Sequence, residues 1–249
     1  TNATVKSGDN IDAQSSGDLI LTTATVDGGG TVSLKGVSIP ITANSLIKAG
    51  GAMSIDASGY LKLLNSSIDG GNSVDMNSAI YVTIAQGIVD GVGDITIKAS
   101  SGDVNINNAM FSSGQCTTIQ GDRNFNLITG IVDAGDSVDI KAADNILIDN
   151  NSALSAINSV WMAGDFNNND PGTGCKIEIY GTLTGQYMEA RGESDNDKFI
   201  IDGATIRGPL TLLGGSGNDL YTVTNLHSIS TWHGGKKDRI TMNGQEGSD

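Results

Sequence analysis

Residues 92–114 read VGDITIKASSGDVNINNAMFSSG. Three short pieces of this stretch alternate apolar and polar residues: Ile95-Thr96-Ile97, Val104-Asn105-Ile106 and Met110-Phe111, with Gly, Ser and Asp between them. A strand with one buried and one wet face has this period of two, and the small and polar residues between the pieces are turn formers. Stepping back 21 residues from Ile95 lands on Val74-Asp75-Met76, and further steps of 21 land on Met53-Ser54-Ile55, Val32-Ser33-Leu34 and Ile11-Asp12-Ala13. The stretch is one copy of a repeat that fills the chain.

Downstream the same row continues with Cys116-Thr117-Thr118, Val138-Asp139-Ile140, Val160-Trp161-Met162, Met188-Glu189-Ala190, Leu210-Thr211-Leu212 and Trp232-His233-Gly234, making eleven copies. The steps are 21 or 22 residues except for one of 28, between Val160 and Met188. A second row holds Leu19-Ile20-Leu21, Ile39-Pro40-Ile41, Leu61-Lys62-Leu63, Val82-Thr83-Ile84, Phe125-Asn126-Leu127, Ile146-Leu147-Ile148, Ile177-Glu178-Ile179 and Phe199-Ile200-Ile201. A third row carries Val26, Ile47, Ile68, Val89, Phe111, Val132 and Ile206. Three strands per coil and no helical period describe a right-handed parallel β-helix of about eleven coils. One coil cannot bury its inner face alone, and stacking supplies the missing neighbours. Left-handed forms run on six-residue subrepeats, which this sequence lacks, and a β-sandwich would not hold a register across so many copies. With strands ~4.8 Å apart the rod is on the order of 50 Å long. Pro40 points outward and removes one ladder bond, so its coil is expected to be weaker.

Composition agrees with a narrow aliphatic core. Of 249 residues, 34 are Gly and only 3 Pro, so glycine punctuates turns, and aromatics are 4%. The formal charge of −14 repels phosphate backbones and anionic lipid, which sets aside nucleic acid and membrane surfaces as partners, and it attracts divalent cations. No apolar run approaches the ~20 residues of a membrane helix. No charged segment and apolar run follow Thr1, so no signal peptide is expected within these residues, and the chain reads as a piece of something longer whose neighbouring repeats flank it. Cys116 and Cys175 fall in different coils and are expected to stay unbridged. The whole of 1–249 reads as one domain, with a loop insertion at 164–176 accounting for the long step.

The sharpest local signal is Gly214-Gly215-Ser216-Gly217-Asn218-Asp219-Leu220-Tyr221-Thr222, which matches G-G-x-G-x-D-x-U-x at every fixed position and resembles the RTX (haemolysin-type) calcium-binding repeat. That resemblance implies Ca²⁺ held by turn carbonyls and the Asp219 carboxylate, with Gly215 and Gly217 forming the turn and Tyr221 anchoring the next strand. Residues 192–199, GESDNDKF, look like a degraded copy that places Asp197 one coil beneath Asp219, with Asp195 adding charge. Asp238 stands similarly one coil later, although Lys236 and Lys237 would oppose a cation there, and the ending at 244–249 resembles the start of another motif. The resemblance covers 192–249 and departs from the family by offering one nonapeptide per coil where RTX rolls have two. The alternative is a glycine turn whose Asp caps backbone amides. Asp165, Asn167 and Asn169 alternate like the start of an EF-hand loop, but Asp170 and Lys176 stand where Gly and Glu are required, so a solvated Asn-rich loop is expected.

Catalytic signals are thin. His227 and His233 have no metal spacing, the arginines are scattered, and Asp27, Asp69, Asp90 and Asp133 read as turn residues. Trp161 and Trp232 are expected to face outward, where they could stack on sugar rings. The chain as a whole is similar to irregular repeats of filamentous-haemagglutinin-type adhesins and giant exoproteins. This similarity implies a non-enzymatic stalk or adhesive module, secreted or on a bacterial surface, stiffened by Ca²⁺ and meeting a glycan or protein receptor. A carbohydrate-active β-helix (lyase or epimerase) with its cleft near the 164–176 loop is the rival, and a trimeric phage tailspike shaft is a third possibility.

Overall fold

The computed structural model describes residues 2–167, 172–229 and 239–246. Every regular element among them is a strand, and the strands form three parallel sheets of 11, 11 and 10 members. Each coil visits the sheets in turn. Thr25–Gly28 lies in the first (sheet A), Val32–Gly36 in the second (sheet B) and Ile39–Thr42 in the third (sheet C). The chain is a three-sided β-solenoid.

The register is the one that the aliphatic rows dictate. Val32, Met53, Val74 and Ile95 pair in succession through sheet B and form one interior column, all of them buried. Sheet A stacks Val26, Ile47, Ile68, Val89, Phe111 and Val132, and the rows missed in sequence, Leu154 and Leu183, continue that column to Ile206. Alternation keeps polar residues on the wet face, as in Val74–Ser78, where Asp75 and Asn77 point outward. Each buried Val, Ile or Leu contributes roughly 1.5–3 kcal/mol, so the core derives its stability from repetition.

Each corner has its own chemistry. Between sheets A and B the coils approach so closely that a Cβ added at Gly50 would collide with the carbonyl oxygen of Gly29 below, and Gly71 meets Gly50 in the same way. Between sheets C and A the chain turns on residues of positive φ in coil after coil, a single one at Asn65 (48°) and Asn108 (48°) and the pair Ala43 (59°) and Asn44 (61°) in an earlier coil. Asn tolerates this left-handed region, and the Asn65 amide donates to Asn44 Oδ1 at 3.0 Å. Pro40 sits half-buried in register with Lys62, and in the preceding coil the matching strand shrinks to Leu21–Thr22.

The sequence rows need two corrections. Ile95 pairs with Thr117, not Cys116, and the buried residues of that strand are Thr117, Ile119 and Gly121. The extra residue lies in the B-to-C turn between Ala99 and Val104, one longer than the turn between Ser78 and Val82. The core position is filled by a threonine whose Oγ1 lies 2.8 Å from Ser113 Oγ, so hydrophobicity did not mark it. At the far end Leu210 and Leu212 pair with Ile240 and Met242. Trp232, His233 and Gly234, which the sequence row placed there, lie outside the described residues.

Candidate functional site: an acidic glycine corner

The RTX-like turn is the B-to-C corner of the last described coils. Strand Leu210–Ser216 of sheet B runs into it and Leu220–Thr224 of sheet C leaves it. Gly215 (φ 91°) and Gly217 (φ 127°) occupy the left-handed region, where a side chain would be strained, and a Cβ at either would also strike a carbonyl oxygen of the coil below, Glu193 or Asp195. Glu193 (φ 76°) and Asp195 (φ 69°) bend in the same sense without being glycines, so 192–197 follows the same path as 214–219. Tyr221 stacks on Phe199, centroids 5.1 Å apart and planes 8° from parallel, which anchors the strand leaving the corner.

Asp197 and Asp219 stack as the 22-residue step implies. Asp219 Oδ1 accepts the Asp197 backbone N–H at 3.0 Å, and Asp197 Oδ1 accepts the Cys175 backbone N–H at 2.7 Å. Both side chains are buried, at 2% and 6% exposure. Their second oxygens, Asp197 Oδ2 and Asp219 Oδ2, have no hydrogen-bond partner. Each is tucked against the glycine that opens its own loop, Gly192 or Gly214, in space that a Cβ there would fill. Burying a carboxylate oxygen without a donor disfavours its charge. Burial accordingly pushes the Asp197 carboxyl up to about 7, against the opposing bonds from Cys175 and with reinforcement from the Asp219 and Asp165 carboxylates.

Two residues that the sequence did not assign to this corner belong to it, and Asp165, expected in a solvated loop, is buried. Asp165, 2% exposed, accepts the Ser194 hydroxyl at 2.8 Å, and Cys175 fills the position beneath Asp197. The signal was the Gly164-Asp165 pair at the head of the insertion, equivalent to Gly192-Glu193 and Gly214-Gly215. Burial, with Asp197 and Asp165 nearby, pushes the Cys175 thiol up and keeps it protonated. Both cysteines are free thiols. Asp195 does not turn toward Asp219: its Oδ2 accepts the Gly172 N–H at 2.8 Å and ties the corner to the inserted loop. Asn169 and Asp170 of that loop lie outside the described residues, as do Lys236, Lys237, Asp238 and residues 247–249.

The donor chemistry suits a hard cation, since the corner offers only oxygens and one protonated thiol. The side-chain count is low, because no group of three or more His, Cys, Asp or Glu able to hold a metal occurs among the described residues. Asp197 and Asp219 are the carboxylates that a cation at this corner would meet. Away from the corner, His227 lies at the surface beside Asp202, Tyr180 and Asp149. Asp202 accepts Thr224 Oγ1 at 2.7 Å and Asn225 Nδ2 at 2.8 Å, which hold its carboxyl below the usual range, so it is committed as an acceptor. No protein-family model, curated protein or solved structure matches the chain.

Proposed function

We propose that this chain is a rigid, non-enzymatic segment of a secreted or surface-exposed bacterial repeat protein, with a stalk or adhesive role and Ca²⁺-stabilised corners near its C-terminal coils. The carrying observation is the stack of Asp197 and Asp219, each buried with one oxygen lacking a donor. At neutral pH such a pair opposes the closure of adjacent coils until a proton or a cation compensates it. Calcium supplies that compensation wherever it is millimolar, as outside a cell, and thereby couples folding of the corner to the ion. Thermal melts in millimolar CaCl₂ and in chelator test this reading. Calcium raises the melting temperature by several degrees, and Asp219→Ala removes most of the rise. Identical melts in the two buffers overturn the calcium assignment.

The rival enzyme reading draws on the furrow beside Phe166 at the base of the inserted loop. Turnover of an acidic polysaccharide, lost on substituting residues of that loop, would replace the stalk reading.

A further inference from the structure

The outer face of sheet B carries a feature separate from the acidic corner. Trp161 stands in an outward column between Asp139 and Glu189, which continues to Thr211. Trp161 is 41% exposed, and Tyr187, on the next coil, is 52% exposed. Two depressions meet at Trp161. One, of about 490 Å³, is lined by Tyr187, Glu189, Pro209, Thr211 and Arg239. The other, of about 420 Å³, is lined by Asp139, Lys141, Phe166, Arg191 and Glu193. Trp161 is the lining residue the two share, so the pair makes a broken furrow with the indole at the junction.

The occupant follows from three properties of this furrow. Its backbone is already paired on both sides of each strand, so a peptide cannot enter by strand addition. Its central charges are matched within the furrow: Lys141 pairs with Asp139 at 2.7 Å and Arg191 with Glu189, and the Arg191 guanidinium lies 5.6 Å from the Trp161 ring centroid. These groups offer donors and acceptors in fixed directions with little net field, while the chain's −14 charge repels polyanions. The polar column also recurs at the strand spacing of ~4.8 Å, close to the length of one sugar in an extended glycan. A half-exposed indole amid hydrogen-bonding groups fits the apolar face of a pyranose ring.

We propose that this furrow binds a neutral polysaccharide lying along the rod, with one pyranose stacked on Trp161 and its hydroxyls shared between the Asp139 and Glu189 sides. The proposal goes beyond the calcium-stiffened stalk and stands without it. Isothermal titration of the whole chain with cellotetraose, xylotetraose, mannotetraose and, as an acidic comparator, tetragalacturonate tests it. At least one neutral tetrasaccharide binds and tetragalacturonate does not. Trp161→Ala weakens binding roughly tenfold or more, Trp161→Tyr retains it within a few-fold, and chelator changes nothing. If Trp161→Ala lowers the melting temperature, protection of a tryptophan from acrylamide quenching by the bound tetrasaccharide in the unsubstituted chain serves as the readout. Absence of binding by all three neutral sugars, preference for the uronate, or unchanged affinity in Trp161→Ala overturns the proposal.

Discussion

At the scale of one residue, Asp197 concentrates the chemistry of the acidic corner. One oxygen accepts the Cys175 N–H and the other is buried without a donor. With its carboxyl pushed up to about 7, the folded chain holds the proton more tightly than the unfolded chain does. In calcium-free buffer the corner's stability is therefore complete below the ordinary carboxylate range. It declines as pH rises through that range and has lost its full increment by about 7. Hydrogen exchange at the Cys175 and Asp197 amides reads this locally: protection falls between pH 5 and 7, by on the order of a few kcal/mol. Asp197→Asn keeps an acceptor for Cys175 and abolishes the decline. A pH-independent protection in the unsubstituted chain contradicts the assignment. Under the calcium reading proposed above, the ion would counter the loss at high pH by stabilising the ionised form, so the two experiments would read the same oxygen from opposite sides.

At the scale of the element, the corners decide which positions tolerate change. Gly50 lies where a methyl group would collide with the Gly29 carbonyl oxygen, and nothing lies within 4 Å of a Cβ at Gly17. Gly50→Ala forces adjacent coils apart and costs about 1–3 kcal/mol, as overpacking does elsewhere, whereas Gly17→Ala stays within about 0.5 kcal/mol. Denaturant melts of the two variants check this, and equal midpoints would refute the close-approach account. The sequence reveals strands better than corners for the same physical reason. Aliphatic columns recur because every coil meets the same neighbours, so Val32 to Ile95 is legible by counting, and so is the stacking of Asp197 beneath Asp219. Corners absorb insertions without disturbing the columns, and counting fails there. One added residue between Ala99 and Val104 concealed the Thr117 register, and the 164–176 insertion concealed Asp165 and Cys175. The chemistry of the site resides in such corners, so less of it than of the fold was legible.

At the scale of the molecule, the rod is a one-dimensional array in which each coil contacts only its neighbours, and stability is a sum of like interfaces. Removing one whole coil should then leave the rest in register. Deleting residues 74–94, the 21 that separate paired positions in neighbouring coils, brings Ile95 onto Met53 and Ile97 onto Ile55, two aliphatic pairs of the kind already present. Deleting only 74–93 brings Asp94 and Thr96 to the interior column and turns Ile95 and Ile97 outward unless a corner distorts, because a shift of one residue inverts a strand's faces. The longer deletion keeps the β-sheet circular dichroism per residue and a melting temperature within a few degrees. The shorter one, although it removes less of the protein, melts distinctly lower or fails to fold. Equal behaviour of the two deletions would mean that corner flexibility, and not the interior columns, sets the register. A one-residue difference separates these outcomes because burial is imposed at the strand and slack is available only at the corner.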